Sequence, residues 1–211
     1  MAYEAHTFET LRDTAVCRLT LFNARRGGAP SRMLLTEWED AEKDSWIDKN
    51  QVKCLDDPFE KALINRLKGT YQTGKGNNHL LPVLIPLDTI DAMKRLADKE
   101  IRELAGVAKD NPYFFANTNK SDNHVGGWHA LHGVALKADV QHVERLTATK
   151  MRHKISTLYA ALEVPESESN IFYKHMGHSE DINKNIYQSP MALLEVTKVG
   201  RHLQNFDSGQ I

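Results

Sequence analysis

Apolar residues recur at helical spacing along most of this chain, and one stretch alone carries a hairpin signal. A mainly helical fold with a small β-hairpin, an α+β arrangement, is what such a pattern can bury. Phe8, Leu11, Ala15, Leu19 and Phe22 define one face of an amphipathic helix predicted to end at Gly27-Gly28, with Arg25 and Arg26 at its C-terminal end. From Met33 to Leu67 the pattern predicts helix in pieces, with Pro58 opening one piece as a first-turn residue. Leu67 to Gln72 and Leu80 to Ile85 flank Gly74-Lys75-Gly76-Asn77-Asn78, which places Lys75 at a hairpin tip. Asp88 is expected to cap a helix bearing Ile90, Met93, Leu96, Ala97, Ile101 and Leu104. A short aromatic strand is expected at Tyr113 to Ala116 and a loop from Asn117 to Gly127. Beyond it, helices are predicted near His129 to Lys137 and Thr147 to Leu162, briefly after Ser167, and from Pro190 to Leu203.

A chain of 211 residues is long enough for one well-cored domain, and residues 1–211 are expected to form one. No apolar run of about 18 residues exists to span a bilayer, so no membrane partner is expected. The N-terminal residues carry acidic groups and no apolar block, so a secretory leader is not expected. Cys17 and Cys54 are the only cysteines, which fits a reducing compartment, the nucleus or the cytoplasm. The 27 Lys and Arg against 28 Asp and Glu leave a net charge of −1, so any nucleic-acid binder built from this chain must segregate its charges. Acidic residues gather at Glu37 to Asp48, Asp56 to Glu60 and Glu163 to Glu168; Arg25, Arg26 and Arg32 group together, as do Lys150, Arg152, His153 and Lys154.

These residue types suit phosphodiester chemistry. A phosphate in a trigonal-bipyramidal transition state needs cations on its non-bridging oxygens, an in-line nucleophile and a proton donor for the leaving oxygen. Arginine fits the first role because its planar fork stays charged at any working pH. Spacing alone does not bring Arg26, Arg152 and Tyr187 together.

The segment Lys174-His175-Met176-Gly177-His178-Ser179, followed by Asn183-Lys184-Asn185-Ile186-Tyr187, resembles the signature of the tyrosine recombinase (phage integrase) family, in which a Gly-His-Ser turn precedes the nucleophilic tyrosine. Thr149-Lys150-Met151-Arg152-His153 is similar to that family's second-arginine box, and Asn23-Ala24-Arg25-Arg26-Gly27-Gly28-Ala29 to its first, which maps the first catalytic arginine onto Arg26. Lys75 matches the family's hairpin lysine. The wording around FYKHMGHS and INKNIYQ looks most like recombinase-like proteins of eukaryotic mobile elements.

The resemblance implies a catalytic domain of the tyrosine recombinase type that breaks and rejoins double-stranded DNA, in the nucleus of a eukaryote or the cytoplasm otherwise. Arg26, Arg152 and His178 would hold the scissile phosphate, Tyr187 would attack it to give a 3′-phosphotyrosyl intermediate, and Lys75 would protonate the leaving 5′ oxygen. No cofactor or metal is implied. A homo-tetramer on DNA is implied, with the Pro190 to Leu203 helix exchanged between neighbours. The family's N-terminal core-binding domain is expected to be absent, because the first-arginine box begins near residue 23. Two positions depart from the pattern: Thr149 stands where a histidine is usual and Ala29 where a glutamate is usual. They favour the alternative of a domesticated DNA-binding or protein-interaction module that keeps the fold without turnover.

Each residue also has a plainer reading. Tyr187 alone would be a tyrosine at the core edge and Arg152 a surface cation; Arg25 competes with Arg26, and Lys68 with Lys75. His124, His129, His132, His175 and His178 invite a metal site, but no cysteine or acidic partner stands at fixed spacing. Trp128 and the run Tyr113-Phe114-Phe115 are expected in the core.

Overall fold

The computed structural model describes residues 2–25, 28–73, 80–160, 162, 164–177, 179–187 and 199–208. It is 62% helical with a two-stranded antiparallel sheet. The first helix, α1 (Ala2–Phe22), runs through the middle of the packing and touches α5 (Ile90–Ala97), α6 (Lys99–Leu104), α7 (Gly127–Lys137) and strand β2 (Leu80–Pro86). Its face of Phe8, Ala15, Val16 and Leu19 is buried against Met33, Trp38, Val83, Ile85, Met93, Leu96, Phe114, Phe115 and Leu131. Each large apolar side chain buried there stabilises the fold by about 1.5–3 kcal/mol.

Between α1 and the sheet the chain forms α2 (Leu35–Glu42), α3 (Lys49–Lys53) and α4 (Pro58–Ile64), each begun by a local cap. Glu37 accepts from the Leu34 backbone N–H at 2.9 Å, Asp48 from that of Asn50 at 2.8 Å and Asp57 from that of Phe59 at 2.7 Å, just ahead of Pro58 at the first helical position. Strand β1 (Leu67–Thr73) pairs with β2 in a register that sets Thr70 opposite Val83. The hairpin tip with Lys75 lies outside the described residues.

Two expectations are corrected. Asp88 does not cap a helix: it lies in a 3-10 turn and pairs with Arg18 at 3.1 Å, while Asp98 splits the expected helix into α5 and α6 by accepting from Ile101 N–H at 3.0 Å. The aromatic segment is not a strand. Buried Arg102 donates to the carbonyls of Asn111, Tyr113 and Phe114 at 3.0–3.1 Å, occupying acceptors a strand partner would need. Tyr113 and Ala116 keep only isolated bridges, to Leu34 and His124, and the rings of Phe114 and Phe115 are fully buried.

The remaining described elements are two 3-10 turns, Pro30–Arg32 and Val143–Arg145, then α8 (Ala148–Ala160), α9 (Glu166–Met176), α10 (Glu180–Ile182) with its π-helical continuation Asn183–Tyr187, and a last helix, Gly200–Asp207. Most of the expected Pro190 to Leu203 helix lies outside the described residues. No helix among the described residues is long and apolar enough to cross a membrane.

One side chain ties α1 to the sheet. Asn23 is fully buried; its amide Nδ2 donates to Leu19 O at 2.9 Å and Leu84 O at 2.8 Å, and its Oδ1 accepts from Leu84 N–H at 2.8 Å. Replacing Asn23 with Ala strands the Leu84 backbone groups without partners, so urea denaturation is expected to show a loss of about 3 kcal/mol. An unchanged midpoint would mean that apolar packing alone seats β2 on α1.

Candidate functional site

The residues that follow α1 turn its end inward. Ala24 N–H bonds Leu21 O and Arg25 N–H bonds Thr20 O at 3.1 Å, the paired bonds of a Schellman motif, with Ala24 at φ 50° in the left-handed position that glycine normally takes. An alanine there costs about 1–2 kcal/mol. The turn buries Arg25 to 2% exposure, where its Nη2 donates to Pro82 O at 2.6 Å and its Nε has no hydrogen-bond partner among the described residues.

Arg152 arrives from α8. It is 3% exposed and donates through Nη2 to Met176 O at 2.9 Å, the last residue of α9. Gly177 then reverses the chain at φ 69°. A Cβ at Gly177 would sit 3.3 Å from Leu81 Cδ2 and 3.5 Å from Arg25 Nη1, so this turn packs directly on the Arg25 guanidinium. His175, half-buried on α9, places Nε2 at 3.1 Å from Asn23 O. A carbonyl can only accept, so Nε2 carries the ring's proton. Four distant stretches, around residues 23–25, 81–84, 152–156 and 173–177, therefore meet at one place.

The electrostatics are those of buried cations brought near one another. Arg25 is lowered to about 10, first by burial and then by the charge of Arg152. His175 is lowered to about 4, first by burial, then by Arg25 and, more weakly, by Arg152, against the opposing effect of its bond to Asn23. Two like charges this poorly hydrated are costly, and an anion brought to them would offset the cost. The planar forks of two arginines match the oxygens of a phosphate.

Of the five residues named from the sequence, Arg152 is described in full, and it is a buried cation instead of a surface one. For Tyr187 the backbone is described, at the end of the π-helical turn Asn183–Tyr187. Arg26, Lys75 and His178 lie outside the described residues. Arg25, the competitor of Arg26, is the arginine of the first box that meets Arg152 among the described residues. Lys68, the competitor of Lys75, is bound to Asp44 at 2.5 Å. Thr149 is exposed in the first turn of α8. Ala29 lines a cleft of about 210 Å³ with Arg32, Glu37, Gln72, Leu81 and Tyr113. Glu37 thus brings into that cleft a carboxylate that Ala29 lacks; it is held by Leu34 N–H and, at 3.3 Å, by Gln72 Nε2.

Sequence reasoning missed His175 and Asn23 as parts of this site. The signal for Asn23 was a polar residue continuing the buried face of an amphipathic helix, and for His175 a histidine one turn ahead of a helix-ending glycine. Among the described residues no group of three or more His, Cys, Asp or Glu is placed to hold a metal ion. His124 instead packs edge-on against Tyr113 at 4.8 Å, and His132 stacks on Trp128 at 5.2 Å. Trp128 is 55% exposed, which corrects its expected place in the core: it lies at the start of α7 on the side turned from α1's buried face.

No family model, curated protein or solved structure matches the chain.

The lowered His175 makes stability pH-dependent. An unfolded histidine titrates near 6.5 and this one near 4, so between those values the unfolded chain binds more protons and stability falls as pH falls. Above about pH 6.5 this contribution is fully present. Urea denaturation at pH 7 and pH 4.5 is expected to show a loss about 2 kcal/mol larger in the native chain than in His175→Gln, which keeps a donor for Asn23 O without titrating. Equal losses in the two proteins would place His175 in water.

Proposed function

We propose that this chain is a DNA strand-transferase domain of the tyrosine recombinase type, forming a 3′-phosphotyrosyl intermediate through Tyr187. The observation that carries the reading is that Arg25 packs against the Gly177 turn while Arg152 bonds the residue just before it, both arginines being buried and Arg152's charge lowering Arg25. The resemblance of the Gly177-His178-Ser179 stretch and Tyr187 to the recombinase signature supports it from the sequence.

In this reading Arg152 and the Arg25-Arg26 box clamp the non-bridging oxygens of the scissile phosphate, and His178 adds a third contact. The Tyr187 oxygen gives its proton to solvent water, since Thr149 stands where the proton-handling histidine is usual, and forms a bond to phosphorus. The bond from phosphorus to the 5′ oxygen breaks, and Lys75 protonates that oxygen to release a 5′-hydroxyl strand. Attack by a 5′-hydroxyl on the phosphotyrosine reverses the sequence of bonds and rejoins the strands without an external energy source. Tyrosine ordinarily titrates near 10, so the surrounding cations favour the reactive anion. Assembly as a homo-tetramer on two duplexes belongs to the same proposal.

The exposed Thr149, where a proton-handling histidine would be expected, favours a second reading, a DNA-binding or protein-interaction module of the same fold without turnover.

Incubation with a pool of nicked suicide duplexes is expected to leave the chain covalently attached to a 3′ phosphate on a denaturing gel. Tyr187→Phe is expected to abolish the adduct while duplex affinity persists. An adduct that survives in Tyr187→Phe would identify another nucleophile, and none from any duplex, even with Thr149→His, would favour the module.

Arg152→Lys keeps the charge and loses the fork, so the adduct is expected to form at least about 100-fold more slowly, with a much smaller change in duplex affinity. Equal losses in the two measurements would reduce Arg152 to a binding cation. Duplex affinity itself is expected to fall steeply between low and physiological salt; an affinity indifferent to salt would remove the phosphate clamp.

A further inference from the structure

We infer that the hydrogen bond between Ser156 and Asn183 is the positioning device that sets Tyr187 against the arginine clamp. The inference rests on the reading of Tyr187 as nucleophile and adds two residues to which no role has yet been given.

Ser156 and Asn183 are both fully buried, and Asn183 Nδ2 donates to Ser156 Oγ at 3.2 Å. Ser156 follows Arg152 by one turn of α8, so the two share a face of that helix. Asn183 opens the π-helical turn that ends at Tyr187. One bond thus joins the helix of the clamp to the segment of the nucleophile, about one turn from each. Across residues 179–186 Asn183 alone is buried; Lys184, Asn185 and Ile186, which lead to Tyr187, are exposed.

The chemistry of the anchor matters. An apolar anchor would hold the segment by contact area and tolerate rotation or a slip along the helix. A buried amide bonded to a buried hydroxyl is directional, because a small displacement breaks the bond in a dry environment where water cannot replace it. Such pairs add little net stability over apolar residues of the same size and do more to specify register. The turn is also π-helical, a widened form that recurs at functional sites and is less favourable than the α-helix, so its register needs holding. Upstream, Ser179 caps the same segment, with its carbonyl accepting from Asn183 N–H at 3.0 Å and its Oγ from Ile182 N–H at 3.4 Å. That cap orders the start of the segment, and the Ser156–Asn183 bond links the same segment to the clamp's helix.

The test compares the full chain with Asn183→Leu, which keeps the size of the anchor without its direction, with Ser156→Ala, and with the reciprocal exchange Ser156→Asn/Asn183→Ser. Single-turnover adduct formation on a suicide duplex, duplex affinity, thermal midpoint and amide exchange at residues 184–187 are measured for each. Adduct formation is expected to slow about ten- to a hundred-fold in Asn183→Leu and Ser156→Ala, with duplex affinity unchanged, and to recover at least partly in the exchange. Amide exchange at 184–187 is expected to quicken in the single variants while α8 stays protected. Adduct formation at the native rate in Asn183→Leu would overturn the inference, as would adduct formation and duplex affinity falling together with the thermal midpoint. If the native chain forms no adduct on any duplex, the strand-transfer reading fails on that result and the exchange data decide the anchor alone: faster exchange confined to 184–187 sustains it, and unchanged exchange overturns it.

Discussion

The carboxamide of Asn23 joins the end of α1 to the backbone of Leu84, and the placement of the described charged groups in the candidate site follows from that bridge. Because Asn23 saturates both backbone groups of Leu84, β2 is seated on α1 in one register. Pro82 is thereby brought to where Arg25 donates to its carbonyl, and Leu81 to where it meets the Gly177 turn. The backbone oxygen of Asn23 receives His175 in the same arrangement. A single residue thus links helix, strand and the turn at the end of α9, and it does so with directional bonds whose loss leaves buried groups unsatisfied.

Around that lock the structure accepts local costs. Ala24 occupies a left-handed position better suited to glycine, Arg25 leaves one buried nitrogen without a partner among the described residues, and the charge of Arg152 adds to burial in lowering Arg25. None of these features stabilises the fold. Strain and buried like charge are concentrated at one place, while the core of α1, α5, α7 and the hairpin supplies the stability elsewhere.

The contrast with Arg102 sharpens the point. That arginine is also buried, but its donors are consumed by backbone carbonyls of the segment from Asn111 to Phe114, and burial alone lowers it. It is a structural cation that fixes a loop. Arg25 and Arg152 each give a donor to a backbone carbonyl as well, but Arg25 is lowered by the charge of Arg152 in addition to burial, and both meet the Met176-Gly177 end of α9. A net charge of −1 is no obstacle to such a cluster of cations, since the local field is set by the charges within a few ångströms and not by the total.

The sequence by itself determined the helical character of the chain, the hairpin, Pro58 at a helix start, and the run of α7 and α8, because apolar periodicity and turn residues act over a few neighbouring positions. It also singled out Arg152 and the Tyr187 segment, through local wording. It missed the break at Asp98 and the fate of Tyr113 to Ala116, since the first is a single capping bond and the second depends on a guanidinium from another helix. Only the tertiary structure decided that Arg25 turns into the core against Arg152, that His175 and Asn23 complete the lock, and that Ser156 meets Asn183. Those partners are far apart along the chain, and burial and directional hydrogen bonding select among chemically similar candidates only after the backbone has brought them within a bond's length of each other.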